Sequence, residues 1–478
     1  MEHQHSHRYR KSKNMAGKLI TILQLILSAA LLILVWNSGM VPNLYLALMG
    51  AGLFLLFAIT FFLQYIRNGV RYLGIVISLL ISIGLAIGIF AFLRVQKTME
   101  EVGGATYKTD NMIVVVKADD PAESILDAAN YRFGCQTSVD QENNARMLED
   151  VEKVAGRELK LEEFDTVTDL ANGLLSGQVE AAIYNEAFDG IIEENIEDYK
   201  EQVKILYQYG IETPIEQEDT NVEEPFNVYI SGIDVSGPIT TNSRSDVNII
   251  MTVNPNTKKI LLTTTPRDFY VTIPGISGDQ RDKLTHAGIY GVDASMATLE
   301  QLYGIDISYY ARVNFTSLIT IVDALGGVDV NSEYAFEAGG YQFQQGSNHL
   351  DGKAALAFSR ERYSFESGDN QRGKNQEAVL TAILQKAMSP AILTSANQIL
   401  GEVSSCVETN MTQDEMAKFI NMQLNDGASW TIESIAAGGT GDSQACFSSG
   451  SQLLYVMWPD EAIVGDVSRR MTQILEGN

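Results

Sequence analysis

Three long apolar runs open the chain, Leu19–Trp36, Leu44–Ile66 and Tyr72–Leu93, and none of them contains Asp, Glu, Lys or Arg. At 18, 23 and 22 residues, each is long enough to cross a hydrocarbon core of about 30 Å as a helix. The pattern predicts three transmembrane helices over 19–93, behind a cytoplasmic tail of residues 1–18. Beyond them the apolar stretches shorten and alternate in type. MIVVVK (Met112–Lys117) and EAAIY (Glu180–Tyr184) read as buried strands, and Pro121–Tyr131 and Asp165–Ser176 as helices. These form a small α/β accessory domain within 94–215, which includes the link from the membrane. Ile211–Pro225 has two prolines, six acids and no aromatic residue, the composition of a linker. FNVYISGID, VNIIMTVNP and KKILLTTT then read as strands, and Ala294–Tyr303, Phe315–Leu325, Gly352–Phe358 and Gln371–Met388 as helices. Strands accompanied by enough helices to cover both sheet faces predict a larger α/β domain over 216–478, with a central sheet flanked by helices and a C-terminal extension.

Charge divides the chain at the same place. The formal net charge is −26, yet residues 1–93 carry seven basic side chains and one acid, which leaves 27 basic and 59 acidic groups, a net of −32, for the rest. The basic groups before the first run, and Arg67 and Arg71 between the second and third, place both sites in the cytoplasm and everything after Leu93 outside the cell. An acidic outer body excludes a nucleic-acid-binding role, which depends on excess Lys and Arg. Of the three cysteines, Cys406 and Cys446 flank one C-terminal segment and are the expected disulfide pair, with three separate buried thiols as the alternative. His3, His5 and His7 read as a solvated tail rather than a metal site.

Basic residues are scarce in the acidic body, so their positions are informative. Arg244 lies in the loop TNSRSD, Arg267 follows the strand LLTTT, Arg360 and Arg362 follow the helix LDGKAALAF, and Arg372 opens the helix QRGKNQEAV. Loops at the carboxyl ends of strands meet in one crevice of an open α/β sheet, where arginines can clamp phosphate oxygens through bidentate hydrogen bonds. Taken singly, each is as readily the partner of a nearby acid: Asp246, Asp268, Glu361 or Asp369. Asp234 and Asp246 bracket the turn between the first two strands and are candidate Mg²⁺ ligands, since Mg²⁺ takes one or two carboxylates plus phosphate oxygens and water. Loop caps and ion-pair partners are their alternative roles. The sequence has no nucleophile elbow, P-loop or Ser-His-Asp string.

In order, SGID, RSD, TPRDFYV, DKLTHAGIYG, NFTSLITIVDALGGVDV, GSNHLDGKAALAFSRER and GDNQRGKNQ resemble the LytR-CpsA-Psr (LCP) family of Gram-positive envelope proteins, over about Phe226 to Met388. Three spans and an added small domain resemble its streptococcal CpsA type, the capsular-polysaccharide branch. The resemblance implies a phosphotransferase, a glycopolymer–peptidoglycan ligase dependent on Mg²⁺. It would move capsular polysaccharide from an undecaprenyl pyrophosphate carrier onto peptidoglycan through a phosphodiester. Carried onto this chain, Arg244, Arg267, Arg360, Arg362, Arg372 and Gln376 match the pyrophosphate-contacting positions and Asp234 and Asp246 the metal positions, with Arg267, Asp246 and Arg362 as the expected catalytic set. Asn370 and Asn375 depart from the family pattern at positions often held by an aromatic and a second basic residue, which implies a lighter grip on the pyrophosphate. Lys283 and His286 match motif positions of less defined use. The carrier's prenyl tail would need an apolar slot, for which the inner faces of the helices in NFTSLITIVDAL and QEAVLTAILQKAM are candidates. Two other functions fit the same residues: a phosphatase acting on polyprenyl pyrophosphate, and a non-enzymatic membrane regulator that binds lipid or solute.

Overall fold

The computed structural model describes residues 2–66, 69–103, 107–136, 139–214, 221–233, 242–365, 368–387 and 407–478. Asp234, Cys406 and Met388 lie outside the described residues. Each apolar run becomes one helix: α1 (Glu2–Asn37), α2 (Asn43–Leu63) and α3 (Gly69–Val102). All three contain segments long and apolar enough to cross a membrane. Large apolar side chains such as Leu19, Phe54, Leu80 and Phe90 are exposed around them, as lipid-facing surface would be. The helices are tied at one buried polar point, where Gln24 Oε1 accepts hydrogen bonds from Thr60 (2.9 Å) and Ser78 (2.7 Å), one from each neighbouring helix. Polar groups in an apolar layer find partners on adjacent helices because the surroundings offer none.

Residues after the membrane segment form a five-stranded sheet in the order β3-β2-β4-β1-β5: β1 (Tyr107–Lys117), β2 (Arg132–Gln136), β3 (Lys160–Phe164), β4 (Ala181–Asn185) and β5 (Val203–Pro214). The unbroken apolar run in β1 reflects burial on both faces. Ile113 and Val115 pack with Leu170 and Leu174 of α5 (Val167–Ser176). Met112, Val114 and Val116 pack with Met147 and Val151 of α4 (Gln141–Ala155). A short helix, α6 (Asp189–Glu193), follows β4.

Two expectations fail in this unit. Pro121–Tyr131 is a series of turns, not a helix. Its buried Ala122, Ile125 and Ala128 have helical spacing, but Asp120 and Asp127 accept hydrogen bonds from local backbone amides, an alternative to the helical ladder that short acids offer. The linker also begins later than its composition indicates. β5 pairs with β1 as far as Tyr107↔Pro214, so the first four residues of Ile211–Pro225 are strand.

The remainder is built on a six-stranded mixed sheet in the order β10-β9-β6-β7-β8-β11: β6 (Phe226–Ile233), β7 (Ser245–Asn254), β8 (Lys259–Thr264), β9 (Tyr309–Asn314), β10 (Val407–Thr409) and β11 (Thr431–Ala436). β9 is parallel to β6 and β11 to β8, while β7 runs against both of its neighbours. The carboxyl ends of β6, β8, β9 and β11 therefore share one edge with the amino end of β7. On one face, α7 (Val292–Tyr303) and α12 (Glu461–Leu475) bury Leu299, Val467 and Met471 against Tyr229, Ile250 and Leu261. On the other, Leu380 and Leu384 of α10 (Asp369–Ala387), with Phe419 of α11 (Gln413–Asp426), meet Val228, Ile249 and Leu262. α8 (Phe315–Ala324) and α9 (Gly352–Arg360) pack with α10 in a third cluster around Val322, Phe358 and Val379. Cys446 is a buried free thiol; its expected disulfide partner Cys406 lies outside the described residues.

Candidate active site

The shared sheet edge carries a narrow crevice of about 360 Å³, counting space open to solvent, lined by Asp246 and Asn248 of β7, Thr264 at the end of β8 with Thr265 to Arg267 beyond it, Arg372, Gly373 and Gln376 of α10, and Ala436 and Ala437 at the end of β11. Backbone topology accounts for the grouping. β7 begins where β8 ends, so Asp246 at one terminus and Arg267 beyond the other lie side by side. Arg267 Nη1 is 3.0 Å from Asp246 Oδ1, and Thr285 donates to the same oxygen at 3.2 Å. The Thr285 amide in turn donates to the Arg267 carbonyl at 2.8 Å, fixing the loop that carries the arginine.

Close approach of α10 brings Arg372 and Gln376 to this edge. A Cβ on Gly373 would fall 2.9 Å from Thr264 Cγ2, so only glycine lets the helix lie this near to β8. One turn on, Thr264 donates a 2.6 Å hydrogen bond to Glu377 Oε1. Glu377 is 4% exposed. Burial pushes its carboxyl up to about 7, and the Thr264 hydrogen bond opposes that rise only in part. The acid thus sits behind the crevice wall, joined to it through Thr264.

Arg244 is linked to this group through ion pairs rather than direct contact. Its Nη1 meets Glu194 Oε1 at 2.7 Å; Glu194 Oε2 is 3.8 Å from Lys283 Nζ, which reaches Asp268 at 3.2 Å; and Asp268 lies 3.8 Å from Arg267 Nε. Six alternating charges, from Arg244 to Asp246, thus run along the rim.

Asp246, Arg267, Arg372 and Gln376 are therefore brought together. Arg360 and Arg362 do not line the crevice: the first is exposed with its guanidinium 4.2 Å over the Phe315 ring, and the second lies 4.7 Å over Tyr363 and donates to its hydroxyl. Cation–π contact with a neighbouring ring competes for a guanidinium that no carboxylate among the described residues holds. Asn375 is buried and turned to structural use, donating to the Phe358 carbonyl and accepting from Gln371. His286 is fully buried; its Nδ1 lies 2.6 Å from Asp282 Oδ1 and 2.9 Å from Ser448 Oγ, bracing the loop behind Lys283. Glu194, Gly190 and Glu377 escape the sequence reading. The first two lie in the five-stranded unit with no motif around them, and Glu377 reads as an ordinary polar helix position.

Among the described residues, no group of three or more His, Cys, Asp and Glu side chains could hold a metal unaided. Asp246 still suits Mg²⁺, which needs only one or two carboxylates when phosphate oxygens complete its shell. A larger cavity, about 570 Å³ on the same measure, lies between β11 and α12. Its arginines are paired, Arg469 with Asp466 and Arg470 with Glu433.

A teichoic acid transferase from Bacillus cereus, the polyisoprenyl-teichoic acid–peptidoglycan teichoic acid transferase TagU, is 38% identical over 203 residues, 42% of this chain and 64% of its own length. The Enterococcus faecalis protein of that name is 39% identical over 205 residues, 42% of this chain and 67% of the relative. The crystal structure of Bacillus subtilis TagU covers 53% of this chain and 97% of its own, at 30% identity and a TM-score of 0.42. The chain thus spans less than two thirds of the Bacillus cereus relative. The model of the LytR_cpsA_psr family matches residues 193–457, more than half of the sequence, and the chain belongs to that family.

Proposed function

We propose that the chain is a membrane-anchored transferase that moves a glycopolymer from a polyprenyl pyrophosphate carrier onto peptidoglycan. The observation that supports this best is the crevice itself. In a body of strongly negative charge, Arg267 and Arg372 meet at one sheet edge beside Asp246 and Gln376. Such a place favours a phosphate where the rest of the surface repels it. Its polymer is proposed to be capsular polysaccharide, on the resemblance to the CpsA type; the relatives named above act on teichoic acid by their names. The body is proposed to face the cell wall, following the basic flanks of the spans.

Phosphoryl transfer needs little covalent help from a protein, since placement and stabilisation of spreading charge dominate. A sugar hydroxyl of peptidoglycan attacks the glycan-bearing phosphorus, the bridging P–O bond breaks, and polyprenyl monophosphate leaves. Arg267 is the central clamp, its loop fixed by Thr285 and its fork oriented by Asp246. Arg372 and Gln376 approach from α10, and Arg244 from the rim, while Arg360 and Arg362 would have to leave their aromatic rings to join. Asp246, with Asp234, would hold Mg²⁺, which when bound would neutralise charge on the phosphate oxygens. Half-buried Ile230, Val247 and Met251 of the sheet and Leu380 and Leu384 of α10 pack against the same buried cluster, and this incompletely closed apolar layer is the proposed seat of the prenyl tail.

Incubating the full chain in detergent with lipid-linked glycan, Mg²⁺ and peptidoglycan fragments tests the reading. A glycan–peptidoglycan conjugate is expected; free phosphorylated glycan without conjugate would identify a hydrolase instead.

A further inference from the structure

Two observations on the rim concern a residue outside the crevice. First, Arg244 lies flat on the backbone of α6: a Cβ on Gly190 would fall 2.7 Å from Arg244 Nε and 2.8 Å from its Cζ. Second, Glu194, just past the end of the same helix, takes Arg244 Nη1 with one oxygen and reaches toward Lys283 with the other. Both belong to the five-stranded unit, whereas Arg244, Lys283 and the crevice belong to the six-stranded one. The seam between the units is firm around them. Ile289 is buried in the core cluster of the first unit, Phe188 meets Tyr290 edge-on with ring centroids 6.0 Å apart, and Lys108 pairs with Asp293 at 3.3 Å.

We infer that Glu194, at the end of α6 beside Gly190, is a positioning residue for the transfer site: the five-stranded unit holds Arg244 in the orientation in which it meets the carrier's pyrophosphate. This rests on the proposed role of the arginines. A free arginine samples many rotamers, and a side chain already packed on a helix backbone with one nitrogen tethered has given up most of that freedom before substrate arrives. The tether uses Nη1, and among the described residues Nε and Nη2 have no hydrogen-bond partner, so their three N–H groups remain for phosphate. The Lys283–Asp268–Arg267 chain then couples the same carboxylate to the central clamp. A purpose follows for an added unit beside a family domain: it completes one wall of the site.

The test uses the full chain in detergent and a C20 prenyl pyrophosphate as probe. Glu194→Ala is expected to weaken probe binding roughly tenfold, the scale of one charge-assisted hydrogen bond, and to raise the KM for lipid-linked glycan while leaving kcat within about twofold. Glu194→Gln, which keeps an oxygen for Nη1, should recover part of the loss. In an Arg244→Ala background, Glu194→Ala should cost little more, because its effect acts through Arg244. Unchanged binding in Glu194→Ala, or full additivity with Arg244→Ala, overturns the inference. So does tighter binding, which would make Glu194 an anion that competes with the pyrophosphate. Arg267→Ala separates this from failure of the site itself. If it binds the probe as the wild type does, the crevice reading fails and the inference with it; if it loses binding while Glu194→Ala does not, only the role of Glu194 is wrong.

Discussion

Arg267 Nη1 and Asp246 Oδ1 are 3.0 Å apart, although Asp246 stands near the start of β7 and Arg267 beyond the end of β8. The pair exists because β7 runs against β8, so its start meets the other's end. Asp246 therefore orients the arginine as well as offering a carboxylate to a cation. Arg267→Lys keeps the charge but loses the planar fork, and transfer is expected to fall about tenfold to a hundredfold. Arg267→Ala and Asp246→Ala should each abolish polymer attachment with the fold intact. Initial rates of conjugate formation, with melting curves alongside, check both.

Glu377 carries a pH signature. Its carboxyl is raised from an ordinary 4.5 to about 7, so between those values the folded chain binds more protons than the unfolded one. Its contribution to stability is full below about pH 4.5 and is lost as pH rises through about 7. Asp140 and Asp189, both pushed up to about 6 by burial, slope the same way, so the difference between wild type and variant is the quantity to read. Glu377→Gln fixes the neutral form, and its melting temperature should fall less steeply than the wild type's over that window. Parallel pH profiles would contradict the assignment.

The buried trio Asp282, His286 and Ser448 predicts a structural loss. Removing the imidazole opens a cavity in a fully buried site and takes one of three hydrogen-bond partners from Asp282 Oδ1, which keeps the Lys283 amide and the Ser448 hydroxyl. His286→Ala is expected to cost about 2–4 kcal/mol of stability. Denaturant unfolding measures it. The folded fraction should keep its KM, because the trio braces the Lys283 loop from behind.

Much of this was legible in the sequence because it depends on local pattern. Uncharged runs gave three helices, apolar stretches of strand length gave β6, β7 and β8, and arginines after a strand and at a helix start marked Arg267 and Arg372. What escaped was set by contacts distant in sequence. Glu194 is 50 residues from Arg244, and no spacing rule joins a carboxylate in one sheet's helix to a loop of another. Arg360 and Arg362 follow the expected helix, but which ring or phosphate a guanidinium meets depends on tertiary neighbours. Pro121–Tyr131 has helical spacing of its buried residues without helical backbone, because acids at 120 and 127 cap the local amides first.

A structure of the full chain with a bound prenyl pyrophosphate tests the central claim most directly. The account predicts phosphate oxygens within hydrogen-bonding distance of Arg267 and Arg372 at the carboxyl edge of β8, with the tail running toward Leu380 and Leu384. Phosphates seated instead in the cavity beside Arg469 and Arg470 would contradict it.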